Sequence, residues 1–126
     1  MTVRKEIEMR LADFAATNKL PLAYENANFT KPAGEWLEII FLTPNKLHRS
    51  VAAGVREEGM FQVNVFTRLG IGSGRSSELV EQVSALFPVL PKVGLVSIEQ
   101  PPNAARGFPD ENHWCVPITV RYRAEH

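Results

Sequence analysis

The sequence predicts an α+β fold, with one mixed, mainly antiparallel sheet and two helices on one face. Two observations lead to this prediction. Apolar residues recur at helical spacing in two segments, and they alternate with polar residues, as in β-strands, in several others. The predicted element order is α-β-β-β-α-β-β. No internal repeat or linker interrupts the chain, so residues 1–126 are expected to form a single domain.

The first predicted helix has one apolar side. The residues that form it follow the spacing i, i+4, i+8 and i+11, and they are Val3, Ile7, Leu11 and Phe14. Thr2 is expected to cap the N terminus. The helix should end near Asn18, because Pro21 disfavours helical geometry in the residue before it. This face is expected to be buried.

Three segments of different character follow the first helix. Residues 21–26 predict a brief strand, and the polar stretch 27–34 predicts a loop. Residues 35–43 predict a strand whose run from 36 to 42 is apolar on both faces except at Glu38, which is typical of a central strand. Pro44 is expected to end or bend that strand.

The clearest strand pattern lies at residues 60–69. One predicted face carries Phe61, Val63, Val65 and Leu69, and the other carries Gln62, Asn64 and Arg68. A glycine-rich break follows at residues 70–74. A second helix is then predicted from Leu79, Val83, Leu86 and Phe87, and Pro88 should stop it.

Two strands are predicted near the end of the chain, at residues 93–100 and 114–123, with a loop at 101–109. In the last strand, Trp114, Val116, Ile118, Val120 and Tyr122 share one face, and Thr119, Arg121 and Arg123 share the other. Pro117 cannot donate a ladder hydrogen bond. We therefore expect this strand to lie at an edge of the sheet or to carry a bulge.

Composition disfavours several classes of function. Fourteen basic residues balance fourteen acidic ones, so the basic excess of a nucleic-acid-binding domain is absent. The single cysteine, Cys115, permits no intramolecular disulfide and favours a reducing cytosol. The charged amino terminus does not resemble a signal peptide, and no apolar run approaches the length of a membrane span. We expect neither export by a visible signal nor a membrane anchor.

The glycine-rich segment at residues 70–77 is the main candidate for a ligand site. It lies between a strand and a helix, where backbone amides can hold phosphate. Only three residues separate Gly70 from Gly74, and Arg75 replaces the lysine, so the P-loop pattern fails. The dinucleotide pattern fails as well, because Arg75 stands at its third glycine. We interpret the segment as a turn with Ser73 or Ser76 as the helix cap.

Two other groups of residues are candidates for catalytic or metal sites. His113 and Cys115 lie two residues apart on one strand face, but the sequence supplies no further ligand beside them. The carboxylates at residues 57–58 and 110–111 are adjacent in sequence, so in extended chain they point to opposite faces. We therefore predict no catalytic, metal or cofactor site and no enzymatic activity.

Residues 45–58 follow neither a helical nor a strand period, and we predict an irregular, extended hairpin tip there. Exposed apolar residues in a long connection often contact another chain. The predicted oligomer or partner interface consists of Leu47, His48, Arg49, Val51, Arg56, Glu57, Glu58, Arg121 and Arg123. The alternative for the two arginines of the last strand is ordinary solubilisation of an outer face. Trp36 and Trp114 suit either an interface or the core.

The succession of these segments carries a resemblance. In order, the chain has an amphipathic helix, Tyr-Glu-Asn-Ala-Asn-Phe at 24–29, Pro-Ala-Gly at 32–34, an apolar strand, Arg-Glu-Glu-Gly-Met-Phe-Gln-Val-Asn-Val-Phe at 56–66, a glycine-rich break with a helix, and Val-Pro-Ile-Thr-Val-Arg-Tyr-Arg-Ala at 116–124. This order resembles the tail-terminator-like proteins of long-tailed phages and prophages. The likeness covers nearly the whole chain.

The resemblance implies a structural subunit without catalytic residues. Such a subunit forms a ring, typically a hexamer, which caps the tail tube, stops its polymerisation and presents a surface to the head connector. The implied partners are further copies of the chain, the tail-tube protein and the connector, and DNA passes through the lumen. The implied location is the head-proximal end of the tail in the virion, after synthesis in the bacterial cytoplasm. The alternatives are a head–tail connector component and a small bacterial ligand-binding domain that uses the loop of Gly70, Gly72 and Gly74.

Overall fold

The computed structural model describes residues 3–50, 54–89, 96–98 and 100–125. Its elements, in chain order, are α1 (Val3–Thr17), β1 (Leu22–Tyr24), β2 (Trp36–Ser50), β3 (Gly54–Arg68), α2 (Gly74–Ser84), β4 (Val96–Ile98), β5 (Asn103–Ala104), β6 (Phe108–Asp110) and β7 (His113–Glu125). The predicted order of helices and main strands is confirmed. Two short strands, β5 and β6, lie where the sequence predicted only a loop.

The strands form one seven-stranded sheet in the order β1-β2-β3-β7-β4, and β5 and β6 also pair with β7. β1 is parallel to β2, and the other strand pairs are antiparallel. The predicted mixed, mainly antiparallel sheet is therefore confirmed. The outer strands are short, while β2, β3 and β7 run the length of the sheet.

Both helices pack against one face of this sheet, as predicted. Ile7 and Leu11 of α1 and Leu79 and Val83 of α2 are fully buried. Their partners in the same apolar cluster are Leu37, Ile39, Phe41, Phe61, Val63, Val65, Ile118, Val120 and Tyr122. Burying one such side chain stabilises the fold by roughly 1.5–3 kcal/mol. The apolar residues that recur at helical spacing and those that alternate along the strands thus pack into one core.

A contact between the middle of α1 and the residues after α2 closes this core. Arg10 of α1 donates from Nη1 to the carbonyl oxygen of Leu86 at 3.2 Å, and its guanidinium lies over the Phe87 ring. Phe87 in turn packs edge-on against Phe61, with ring centroids 4.9 Å apart. The residues just after α2 are therefore held against both α1 and the sheet.

The hairpin of β2 and β3 is longer and more regular than the sequence predicted. β2 continues past Pro44 to Ser50, and pairs run from Lys46 opposite Glu58 to Ser50 opposite Gly54. The prediction of an irregular segment at residues 45–58 is wrong for the described part of the hairpin. Pro44 lies inside a register shift between Leu42 and Lys46, where four steps along β2 face two along β3. This is the predicted bend, because a bulge accommodates a residue without an N–H.

The prediction for Pro117 is also wrong. β7 pairs with β3 in continuous register over its full length, and β4, β5 and β6 line its other side. The Pro117 carbonyl oxygen accepts a hydrogen bond from the Ala105 amide at 2.9 Å. Because the N and C=O of a strand residue point to the same side, the missing donor also faces that side, between β5 and β6. Although β7 lies in the interior of the sheet, Pro117 therefore removes no hydrogen bond between β7 and β3.

The second helix begins earlier than its apolar pattern indicates. Ser73 is the N-cap residue, and Ser76 lies inside the first turn, where its Oγ donates to the Ser73 carbonyl oxygen at 3.1 Å. The preceding turn contains Gly70 and Gly72, both at positive φ. Leu69, predicted on the buried face of β3, follows the end of the strand and is exposed.

Parts of three predictions lie outside the described residues. These are the cap at Thr2, the interface residue Val51 and half of the predicted strand at 93–100. Of that strand, the structure describes β4 and its pairing with β7. Neither described helix combines the length and the apolar character required to cross a bilayer.

Candidate assembly surface

The glycine-rich turn is closed by an ion-pair network. Arg75 donates from Nε and Nη2 to the two carboxylate oxygens of Glu35, at 2.7 and 3.0 Å, and from Nη1 to Glu78 at 2.8 Å. The hydrogen bond with Glu35 is the main reason that the pKa of Arg75 is raised above its usual value. The cation beside the turn is thus already neutralised by two carboxylates. This arrangement disfavours phosphate binding, as the failed sequence motifs do.

The surroundings of His113 and Cys115 are those of residues that support the fold. His113 donates from Nε2 to the carbonyl oxygen of Gly34 at 3.1 Å, which connects β7 to the loop before β2. Cys115 is buried, and burial, followed by the nearby Asp110 and Glu38 charges, raises the pKa of its thiol to about 12. A thiol that stays protonated is a poor nucleophile.

Among the described residues, the acidic pair at 110–111 does not form a metal site. Glu111 reaches Lys31, with Oε2 and Nζ 3.5 Å apart, and is itself exposed. The described part of the chain contains no cluster of three or more residues able to ligate a metal ion.

The sheet face opposite the helices carries a second, smaller apolar cluster near the start of β2. Trp36 stacks on Phe66, and the centroids of their parallel rings are 3.8 Å apart. Phe29 of the loop before β2 packs against Trp36, with ring centroids 5.1 Å apart. Ala23 and Cys115 complete this second small core. The loop before β2 therefore shields the end of the sheet at which β2 begins.

The other half of this face carries a chain of polar side chains. Gln62 Nε2 donates to Asn64 Oδ1, and Asn64 Nδ2 donates to Glu38 Oε1, both at 2.8 Å. Because these residues bond to one another, the polar chain is stable without a cover. In register with it lie Thr119 and Arg121, and Arg121 is exposed. Asn64 is buried, and Glu38, Gln62 and Thr119 are half-buried, so this part of the face is exposed mainly at Arg121. The exposed polar part of the face is a candidate for contact with another protein.

The predicted interface residues are brought to one end of the sheet. Leu47 lies opposite Glu57, His48 opposite Arg56, and Arg49 opposite Val55 across the hairpin. Glu58 of the same hairpin lies opposite Arg123 of β7, and both side chains have interaction partners. Arg121 lies two residues away on that strand. The structure thus places the described members of the predicted set on three adjacent strands.

The outer edge of β2 was not predicted as a feature of this surface. β1 covers it only from Leu37 to Ile39, where the Leu37 amide donates to the Pro21 carbonyl oxygen at 2.9 Å. At the next outward position, the Phe41 amide donates to the carboxylate of Glu25. Arg4 pairs with that carboxylate at 3.5 Å and lies over the Phe41 ring. No local sequence signal connects these residues, since the contacts join α1, the loop after β1 and β2.

A groove lies at the opposite end of the sheet, between α2 and the segment of β5 and β6. Two recesses of about 390 and 370 Å³ meet at Ser73 and Trp114. Trp114 forms part of the floor, and Gly107 lies directly against its indole. Leu69 and Ile71, both about half exposed, flank the groove.

Comparison with known proteins identifies the family. The family model for the phage tail terminator protein matches residues 2–122. The chain belongs to the phage tail terminator family. It is therefore a structural protein of the phage tail and a virion component.

Two solved structures are similar to this terminator-family chain. One, titled only with a sequence label, has a TM-score of 0.76 and 31% identity, and the match covers 98% of this chain and 94% of that one. The other comes from the virion of a native gene transfer agent particle, with a TM-score of 0.60, 15% identity and coverage of 95% and 92%. The second likeness shows the fold alone. No curated protein matches the sequence.

Proposed function

We propose that this chain forms a ring that caps the finished tail tube, terminates its polymerisation and provides the surface to which the head connector binds. The observation that carries the proposal is the family match over residues 2–122. The polar sheet face and the hairpin end supply surface for contact with other proteins. The ring occupies the head-proximal end of the tail, and its lumen lets DNA pass.

A closed ring requires heterologous contacts, in which two different patches of each subunit meet. The hairpin end, with Leu47, His48 and Arg49 on β2, supplies one such patch, and the open face around Arg121 extends it toward neighbours along the tail axis. A ring of six copies of the 14.1 kDa chain would have a mass of 6 × 14.1, or about 85 kDa.

Sedimentation of the purified chain, alone and with tail-tube subunits, tests this proposal. We expect a ring-sized species that binds tube ends and arrests elongation. Arg121→Glu should weaken tube binding, whereas Arg106→Glu, at an exposed position on the loop between β5 and β6, should not. A chain that remains monomeric with and without tubes would contradict the proposal. Binding to the connector but not to tubes would instead support the connector alternative.

A further inference from the structure

Three half-buried apolar side chains lie on the sheet face opposite the helices. Ile40 and Leu42 belong to β2, and Met60 of β3 lies directly opposite Leu42. They point away from the helices, because the next residues along each strand, Phe41 and Phe61, point into the core between sheet and helices. Neither apolar cluster of the described residues includes these three side chains. The described fold therefore leaves them without a full cover.

An exposed cation borders these apolar side chains. Arg121 of β7 lies directly opposite Met60 on β3. Among the described residues, no carboxylate forms an ion pair with its guanidinium. We call Ile40, Leu42, Met60 and Arg121 the back patch. Methionine and arginine are enriched in protein–protein interfaces, so the composition of this patch suits contact with another chain.

A second surface of related character lies on the helix side of the sheet, beyond the end of β3. Leu69 and Ile71 are about half exposed and flank the groove that has Trp114 in its floor. Glu81 of α2 lines the adjoining recess and is exposed. No described cation forms an ion pair with its carboxylate. We call Leu69, Ile71 and Glu81 the turn patch.

The two patches complement each other in charge. Each presents apolar side chains beside one charged group without an ion-pair partner, which is Arg121 in the back patch and Glu81 in the turn patch. Within one chain the patches lie on opposite faces of the sheet, with Met60 near the middle of β3 and Leu69 just after its end. The chain also carries fourteen basic and fourteen acidic residues, so two copies do not repel each other through net charge.

We propose that the back patch of one copy of this chain packs against the turn patch of the next copy, with Arg121 of one facing Glu81 of the other. The inference rests on the proposed ring and names the surfaces that join its subunits. Two different patches meet, so the contact is heterologous, and each copy has one patch for each of its two neighbours. Burial of the apolar side chains supplies affinity, while the charge pair selects the orientation.

Charge reversal tests the pairing of Arg121 with Glu81. Arg121→Glu and Glu81→Arg each place like charges opposite each other, so each should lower ring assembly about tenfold in sedimentation experiments. The double variant restores opposite charges and should assemble nearly as well as the wild type. Lys19→Glu and Asp13→Arg are the matched controls, because both residues are exposed outside the two patches. All four side chains are exposed, so the melting temperatures should change little.

Single cysteines test which surfaces meet even if a charge variant fails to fold. A mixture of Arg121→Cys chains and Glu81→Cys chains should give covalent dimers when assembled rings react with a short bis-maleimide. Each variant alone should give none, because a heterologous contact brings different patches together. Glu81→Cys mixed with Met9→Cys, at an exposed position of α1 outside both patches, is the control and should not cross-link. Native Cys115 is buried and does not interfere.

The outcomes separate the two proposals. The contact would be overturned, and the ring left standing, by rings that tolerate either single reversal, by a double variant that fails to recover, or by rings without the mixed cross-link. Dimers from either cysteine variant alone, or a cross-link from Arg121→Cys to a tail-tube subunit, would overturn it as well. A chain that never forms rings, alone or with tail tubes, would overturn the proposed function and the contact with it. Recovery in the double variant together with a cross-link found only in the mixture supports the inference.

Discussion

Arg75 at the start of α2 holds Glu35, the residue before β2, through two parallel hydrogen bonds of 2.7 and 3.0 Å. Such a bidentate pair fixes the orientation of both groups. It connects the helix that follows the glycine-rich turn to the first strand of the long hairpin. Arg75, which stands where a P-loop would have its lysine, thus has a structural role.

Glu35→Gln should lower the free energy of unfolding by about 1 kcal/mol, because both side chains are partly exposed and water screens their attraction. Arg75→Lys should have a similar effect, since lysine cannot make the bidentate contact. Urea denaturation measures the loss. Glu78→Gln is the control: its carboxylate is more exposed and bonds to the same guanidinium. Equal losses in Glu35→Gln and Glu78→Gln would contradict a special role for the bidentate pair.

Glu25→Ala should expose the outward amide of Phe41, because no other described group accepts its hydrogen bond. We expect a loss of stability of about 1 kcal/mol, the usual net contribution of such a bond. The specific measurement is hydrogen exchange at the Phe41 amide, which should become faster. Glu8→Ala removes a different partner of Arg4 and should leave that amide protected. Unchanged exchange in Glu25→Ala would show that the carboxylate does not hold the edge.

Gly107→Ala should be clearly destabilising, because a Cβ there would lie 2.4 Å from Nε1 of Trp114. Overpacking of this kind costs about 1–3 kcal/mol. Thermal unfolding and tryptophan fluorescence would report the loss and the displaced indole. Gly34→Ala is the matched control, since nothing lies within 4 Å of its added Cβ. A Gly107→Ala variant as stable as Gly34→Ala would mean that the segment between β5 and β6 moves away easily.

Cys115 should make stability depend on pH in the alkaline range. Its pKa is raised from 9.0 to about 12 by burial and two nearby carboxylates, so the folded state keeps the neutral thiol while the unfolded chain ionises. The stability contributed by this group is complete below pH 9 and is lost as the pH rises toward 12. The slope is at most about 1.4 kcal/mol per pH unit.

The comparison of wild type with Cys115→Ala isolates this effect, because other groups titrate equally in both proteins. We expect the stability difference between them to shrink from about pH 8 to about pH 10.5 in urea unfolding experiments. A difference that stays constant over that range would show that the thiol titrates normally in the folded protein.

The predicted helices and strands were recovered where local periodicity decides burial. Ile7 and Leu11 of α1, and Phe61 and Val63 of β3, are fully buried as their spacing indicates. The order of these segments along the chain resembles the tail-terminator family, and the family match over residues 2–122 confirms that resemblance. Of the predicted interface, the structure describes where the members lie on β2, β3 and β7, and their role remains a prediction.

Other features depended on neighbours that no local pattern reveals. Residues 45–58 lack a strand period, yet residues 46–50 of β2 and 54–58 of β3 form a regular ladder, because backbone hydrogen bonds do not require alternating side chains. Pro117 led to the prediction of an edge strand. In the structure its nitrogen faces the gap between the short strands β5 and β6, so the missing N–H removes no hydrogen bond to a neighbouring strand.

By itself, the sequence determined the α+β class, the buried faces of both helices and the lack of a recognisable catalytic motif, because these follow from the period and type of nearby residues. Only the tertiary structure decided what the charged residues do. Arg75 meets Glu35 across 40 residues, and Glu25 meets the Phe41 amide across 16. Such contacts depend on how helices and strands are placed in space, and that placement also decided which strand edge stays open.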